Sequence, residues 1–190
     1  MFRKRVGRLI RCAFPTALLL ISVLAQASES PAPVREKQVM GWLETVFLKP
    51  WGLRATAKLD TGAKTSSVHA SHIEHFNKDG KEWVRFNFVA DRDGKPTVIE
   101  QPLVRKAVIK ERQSKSSTRD VVMLTLCKNG RDYETEFTLN DRSNFNYPVL
   151  LGRSFLEDVA LVDASATFLF KADNDACGET AAGSRSGSRR

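Results

Sequence analysis

The residues best suited to chemistry lie in one short run, Asp60-Thr61-Gly62-Ala63. The preceding residues Ala55 to Leu59 alternate small or polar side chains with apolar ones, which predicts a strand that ends at the aspartate. Gly62 permits a close backbone turn there, and the Thr61 hydroxyl can bond to neighbouring backbone. A carboxylate on a rigid turn suits acid–base catalysis. The plainer role for such an Asp is to cap its own turn. Beyond the first 27 residues, which hold Cys12, the other reactive groups are His69, His72 and His75, with Cys127 and Cys177 further on.

Three histidines at this spacing raise a metal site, and His69 and His72 would share a face on a helix. On an extended segment His69 and His75 point away from His72. No His-Glu-x-x-His is present, and the two cysteines do not have zinc-site spacing. The expectation is therefore no metal, with solvated histidines. Gly62-Ala63-Lys64-Thr65 lacks the full phosphate-loop pattern. No cofactor is expected.

About ninety residues after the aspartate comes Tyr147-Pro148-Val149-Leu150-Leu151-Gly152-Arg153-Ser154-Phe155-Leu156, an apolar run followed by Gly-Arg and a helix start. Together, in this order, the two motifs resemble the active loop of retropepsin-like aspartic proteases and the segment that packs beside it. The string Lys58 to Ala70 is most similar to a bacterial retropepsin-like family often labelled ATP-dependent zinc proteases. The likeness extends from Gly41 to Leu169.

The resemblance implies a single acid-protease barrel, one lobe per chain, and a polypeptide substrate. It assigns catalysis to Asp60. Thr61 would brace the loop against a second subunit, Gly62 and Ala63 would present backbone to bound peptide, and Gly152 would allow close packing beneath the loop. His69 would line the site. In viral members the arginine at the Arg153 position pairs with an acid after the Ala. Lys64 stands there instead, so Arg153 must find Glu157 or Asp158 or serve differently. Such chemistry needs two carboxylates sharing a proton. This chain has one Asp-Thr-Gly, so the second aspartate must come from a second copy in a homodimer.

The elements that must hold these residues read as short strands. Val39 to Leu48 is a first strand with Trp42 and Phe47 as core candidates, and Leu53 to Leu59 leads into Asp60. Ser66 to Ile73 continues away from the loop. Glu82 to Ala90 places Val84, Phe86 and Phe88 on one face. Thr97 to Ile109 holds one or two strands interrupted by Pro102. Asn129-Gly130 marks a hairpin between Val121–Cys127 and Tyr133–Leu139. Pro148 to Leu151, a turn or two of helix from Ser154 to Asp158, and a last strand from Val159 to Phe170 follow. Polar, Lys- and Ser-rich Lys110 to Arg119 is the flap candidate. Many short strands with frequent turns predict an all-β barrel or sandwich without any family likeness.

Residues 1–27 read as a signal peptide, 28–37 as a linker, 38–172 as the protease-like domain, and 173–190 as a disordered basic tail. Arg3 to Arg11 supply a basic start, Ala13 to Ala25 an apolar stretch, and Ala25-Gln26-Ala27 a cleavage site. That predicts a periplasmic or secreted protein with no membrane span once the leader is cut. Five of the 30 basic residues and none of the 22 acidic ones lie in the leader, so the remainder carries +3. The charge gives no reason to expect nucleic-acid binding. A Cys127–Cys177 bridge fits an exported chain; a buried thiol and a loose one are the alternative. The rival functions are a non-catalytic peptide-binding module on the same fold and a zinc-dependent peptidase.

Overall fold

The computed structural model describes residues 36–91, 94–109, 116–170 and 177. The first strand, β1 (Gln38–Lys49), is buried along most of its length, from Met40 to Leu48 with Trp42 as the partial exception. It lies between antiparallel β2 (Leu53–Leu59) and parallel β10 (Ala160–Thr167). A Cβ on Gly41 would come within 2.5 Å of the Ala166 carbonyl oxygen, so only glycine lets β10 pass this close.

The remaining strands are β3 (Ser66–His69), β4 (Ser71–Lys78), β5 (Lys81–Phe88), β6 (Thr97–Ile109), β7 (Ser117–Lys128), β8 (Arg131–Asn140) and β9 (Val149–Leu151). Hydrogen-bonded neighbours run β1, β2, β9, β3, β8, β7, and β7 returns to β1 through Phe47–Cys127, Leu48–Leu126 and Lys49–Thr125. Six strands thus close a barrel, and β10 and β4 remain as the edges of the strands that branch from it. The antiparallel arm β6-β5-β4 extends from β7. The all-β expectation holds, and the one helical element among the described residues, α1 (Arg153–Val159), is seven residues long.

Local chemistry accounts for these elements. Asn129 (φ 50°) and Gly130 (φ 69°) both take positive φ between β7 and β8, the tight-turn geometry that Asn-Gly favours. On β5, Val84, Phe86 and Phe88 are buried while Arg85 faces out and binds Glu100. These residues join Val46, Leu126, Phe137 and others in one core.

Three expectations change. Ser66 to Ile73 is two strands, because Ala70 N donates to the Asn140 carbonyl and His72 takes φ 52°; β3 stays in the barrel and β4 leaves with β5. Pro102 does not interrupt β6. It sits where the strand leaves β5 and joins β7, so its missing N–H falls at the change of partner. Trp42 is half-buried, edge-on to Tyr147, whereas Phe47 is buried.

Buried Glu44 takes N–H donors from Gly41 and Leu169 and lies 3.0 Å from buried Lys128 Nζ. This pair ties the segment after β10 to β1 and β7. Cys127 and Cys177 are bridged and pack with Phe47, so of the two cysteine readings the disulfide is the one formed. The leader (1–27), the linker except its last two residues, the tail except Cys177, and the flap candidate from 110 to 115 lie outside the described residues. Residues 117 to 119 belong to β7. Among the described residues, no helix is long and apolar enough to cross a membrane.

Candidate active site

Asp60 follows β2 directly, and β2 runs parallel to β9 with Leu59 opposite Leu151. Its N–H donates to the Leu151 carbonyl at 2.9 Å. Its Oδ1 accepts from the Gly62 and Ala63 N–H groups at 3.0 and 3.2 Å, and Lys58 Nζ stands 3.2 Å from Oδ2. Burial pushes this carboxyl up. The Lys58 hydrogen bond, the Gly62 N–H, the Lys58 charge and the Ala63 N–H together outweigh burial and hold it below the ordinary range. The side chain is 25% exposed, so the ionised oxygen is presented and not sealed in. Turn capping and presentation of a carboxylate therefore coexist in one residue.

The turn rests on the start of α1. Arg153 N donates to Ala63 O and Ser154 N to Lys64 O, at 2.9 and 3.0 Å. Gly152 N donates to Ser66 Oγ at 3.1 Å. A Cβ on Gly152 would lie 2.6 Å from the Thr65 carbonyl carbon and oxygen; its φ is −94°, so the requirement is space and not backbone freedom. Arg153 Nη1 donates to the carbonyls of Thr61 and Gly62, both at 3.0 Å. It binds neither Glu157 nor Asp158. Thr61 is exposed on the turn.

His69 ends β3, nine-tenths buried. Its Nδ1 accepts from the Arg142 N–H at 3.0 Å, which leaves Nε2 to carry the proton. Burial, opposed by Asp141 and helped by Arg142, pushes its pKa down, so the ring is neutral. His69 and Arg142 line a cavity of about 300 Å³ with Tyr147 and Asn146. His75 instead binds Glu82 and Asp120, at 2.9 and 3.0 Å. His69 and His75 have separate partners, and among the described residues no group of three or more His, Cys, Asp or Glu is placed to hold a metal.

A larger cavity, about 760 Å³, opens beside the turn between Ala63 and Lys64 on one side and β6 and β7 on the other. Five basic side chains line it: Lys64, Arg105, Lys106, Arg119 and Arg142. The one carboxylate that lines it among the described residues, Glu136, is already bound by Arg105, with Nε 3.2 Å from each oxygen.

A family model described as RimB-like, retropepsin-like aspartic endopeptidase RimB, matches residues 39–173. The chain belongs to this family. The RimB-like match and the closed barrel together establish the retropepsin-like fold. A crystal structure of a Legionella pneumophila protein of unknown function superposes with a TM-score of 0.62 at 32% identity, covering 70% of this chain and 98% of that one. Curated relatives carry another description. A probable alpha-L-glutamate ligase of Desulfotalea psychrophila is 35% identical over 67% of this chain and 28% of its own length. One of Shewanella pealeana is 33% identical over 59% and 25%. The match to this chain thus spans about a quarter of those relatives.

Relative to this RimB-like frame, sequence reading alone missed Lys58, Ser66 and Arg142. Lys58 was findable, since residues two apart share a strand face. Arg142 lies in a polar loop with no periodic signal.

Proposed function

We propose that the chain is an aspartic endopeptidase that works as a homodimer on acidic polypeptides. The observation that carries the reading is Asp60. Its carboxylate is fixed by two backbone N–H groups on a turn braced from α1, beside a cavity of about 760 Å³. Each chain supplies one such carboxylate. Dimerisation would bring a second copy of Asp60 against the first, and repulsion between like charges would then keep one of the two protonated. The ionised carboxylate takes a proton from a water held between them. The water oxygen attacks the scissile carbonyl carbon, and the protonated carboxyl gives its proton to the carbonyl oxygen. As the tetrahedral intermediate collapses and its C–N bond breaks, the carboxyl that took the water's proton gives it to the leaving nitrogen, and the other carboxylate takes back the hydroxyl proton, restoring the pair. No cofactor is required by this sequence.

Two observations support the dimer and the substrate. Edge strand β10 pairs only with β1 among the described residues and leaves Leu161 and nearby Phe168 and Leu169 exposed. The cavity lining is basic, and relatives that this chain matches over about a quarter of their length are named probable alpha-L-glutamate ligases, a name that carries an acidic amino acid. The Cys127–Cys177 bridge supports an exported, oxidising location.

The test is cleavage of a mixed peptide library from about pH 3.5 to 7.5 by the protein and by Asp60→Asn. The expected result is a loss of about 10²- to 10⁴-fold in rate on substitution, with no effect of a chelator. Equal cleavage by both proteins removes Asp60 from the chemistry. A folded dimer that binds peptide and cuts nothing establishes instead the non-catalytic peptide-binding module.

A further inference from the structure

Arg142 is a cation that the protein buries without neutralising. It is 6% exposed. Its Nε donates to the Tyr147 carbonyl at 3.1 Å, its Nη1 to Ser67 Oγ at 2.9 Å, and its backbone N–H to His69. Cζ lies 4.6 Å over the Phe145 ring. No carboxylate is paired with it among the described residues. A guanidinium has five N–H donors, so three of them, including both on Nη2, have no protein acceptor among the described residues. Burying a charge without a direct ion pair is costly; of the charges that act on Arg142 from further off, Arg119 repels it and Asp60 attracts it.

The same side chain lines both cavities, the basic one beside the Asp60 turn and the smaller one at His69. Its contacts fix its plane: Phe145 covers a face, Tyr147 takes the Nε–H and Ser67 one Nη1–H, so the donors left over lie at the Nη1–Nη2 end. What remains open is an edge of two-pronged donors, the geometry that fits a carboxylate and not a neutral amide.

We propose that Arg142 is the carboxylate-reading residue of the peptide-binding cleft, accepting one acidic group of the bound chain on its free guanidinium edge. This rests on the reading that a polypeptide occupies the cavity beside Asp60, but not on its being cleaved. The acid is a glutamate or aspartate side chain or the peptide's own C-terminal carboxylate. Lys64, Lys106 and Arg119 add diffuse positive charge; Arg142 adds the direction. Phe145, 53% exposed, stacks on the guanidinium and keeps its edge turned to the ligand.

The experiment measures binding with turnover removed. The full chain carrying Asp60→Asn is titrated against fluorescent octapeptides: a C-terminally amidated glutamate-rich one, its glutamine counterpart, and the glutamine peptide with a free C-terminal carboxylate. One of the two acidic peptides is expected to bind at least about tenfold more tightly than the amidated glutamine peptide, and which one names the source of the carboxylate. Adding Arg142→Gln or Arg142→Lys should abolish most of that preference, whereas Lys106→Gln should change it less than threefold. A preference that survives both Arg142 variants overturns the proposal, as does the absence of any preference in the starting protein. Should both variants misfold, the Arg142 Nε–H signal of the Asp60→Asn chain is followed by NMR. It should shift with the preferred acidic peptide and not with the glutamine one; no shift overturns the proposal. Arg142-dependent binding, together with no cleavage of the same peptides by the unsubstituted protein, sinks the endopeptidase reading and leaves this one standing.

Discussion

Arg153 Nη1 sits 3.0 Å from the carbonyl oxygens of both Thr61 and Gly62. The guanidinium thus grips the backbone of the Asp60 turn itself. The resemblance to viral members led to an acid partner for this arginine, but Lys64 occupies the place where that acid would stand. A guanidinium whose donors point at carbonyls performs the same bracing through dipoles. Arg153→Ala is expected to leave the fold intact and to lower kcat about tenfold with little change in KM, because the turn loses its outer restraint. Arg153→Lys should restore part of the rate, since one ammonium can reach one of the two carbonyls. A kinetic comparison of the three proteins checks this.

Gly152→Ala tests the packing beneath the turn. The added methyl would meet the Thr65 carbonyl at 2.6 Å, and backbone on both sides must shift. The expected cost is about 1–3 kcal/mol in a denaturant titration, with activity falling further than stability does. An unchanged midpoint would show that the β9–α1 junction yields freely.

His69 sets an acid sensitivity of the folded state. Its folded pKa lies below the ordinary 6.5, chiefly through burial. The unfolded chain then binds the proton more readily, so stability is full above pH 6.5 and is lost as pH falls through the folded pKa. Asp60 and Glu136, lowered from 3.8 and 4.5, act in the same direction at lower pH. Between pH 6.5 and about 5 the decline should therefore belong to His69. His69→Gln, whose amide oxygen can still accept from Arg142 N–H, should flatten the decline in that window. Melting temperatures at half-unit pH steps decide it.

The Cys127–Cys177 bridge closes a loop with a sequence separation of 50 residues. Replacing both cysteines by serine should cost about 2–4 kcal/mol, and a reductant should reproduce most of that loss in the unsubstituted protein. Equal melting with and without reductant would show the bridge to be dispensable.

Much of the architecture was legible wherever a local rule acts alone. The Val84-Phe86-Phe88 alternation, the Asn129-Gly130 turn and the strand into Asp60 each announce themselves within a few residues. Legibility failed where partners distant in the chain decide. The break at Ala70 is made by Asn140, 70 residues away. Pro102 is tolerated because β6 changes neighbours there, which no window around the proline reveals. Arg142 is buried by Ser67, Tyr147 and Phe145, although its own loop reads as solvated. At the site, the Asp60 turn and Gly152 were readable as a motif. The Lys58 ammonium beside Asp60 and the target of Arg153 needed the geometry.

Strand β9 has three residues, yet it lies between β2 and β3 and carries the acceptor for the Asp60 N–H. The turn is thus finished by residues roughly ninety positions downstream of it. A chain still being synthesised holds Asp60 from early on but has nothing to lock it against until Leu151 and the start of α1 have formed. Such long-range closure comes late in folding. The order of the strands therefore delays the locked Asp60 turn until nearly the whole barrel exists.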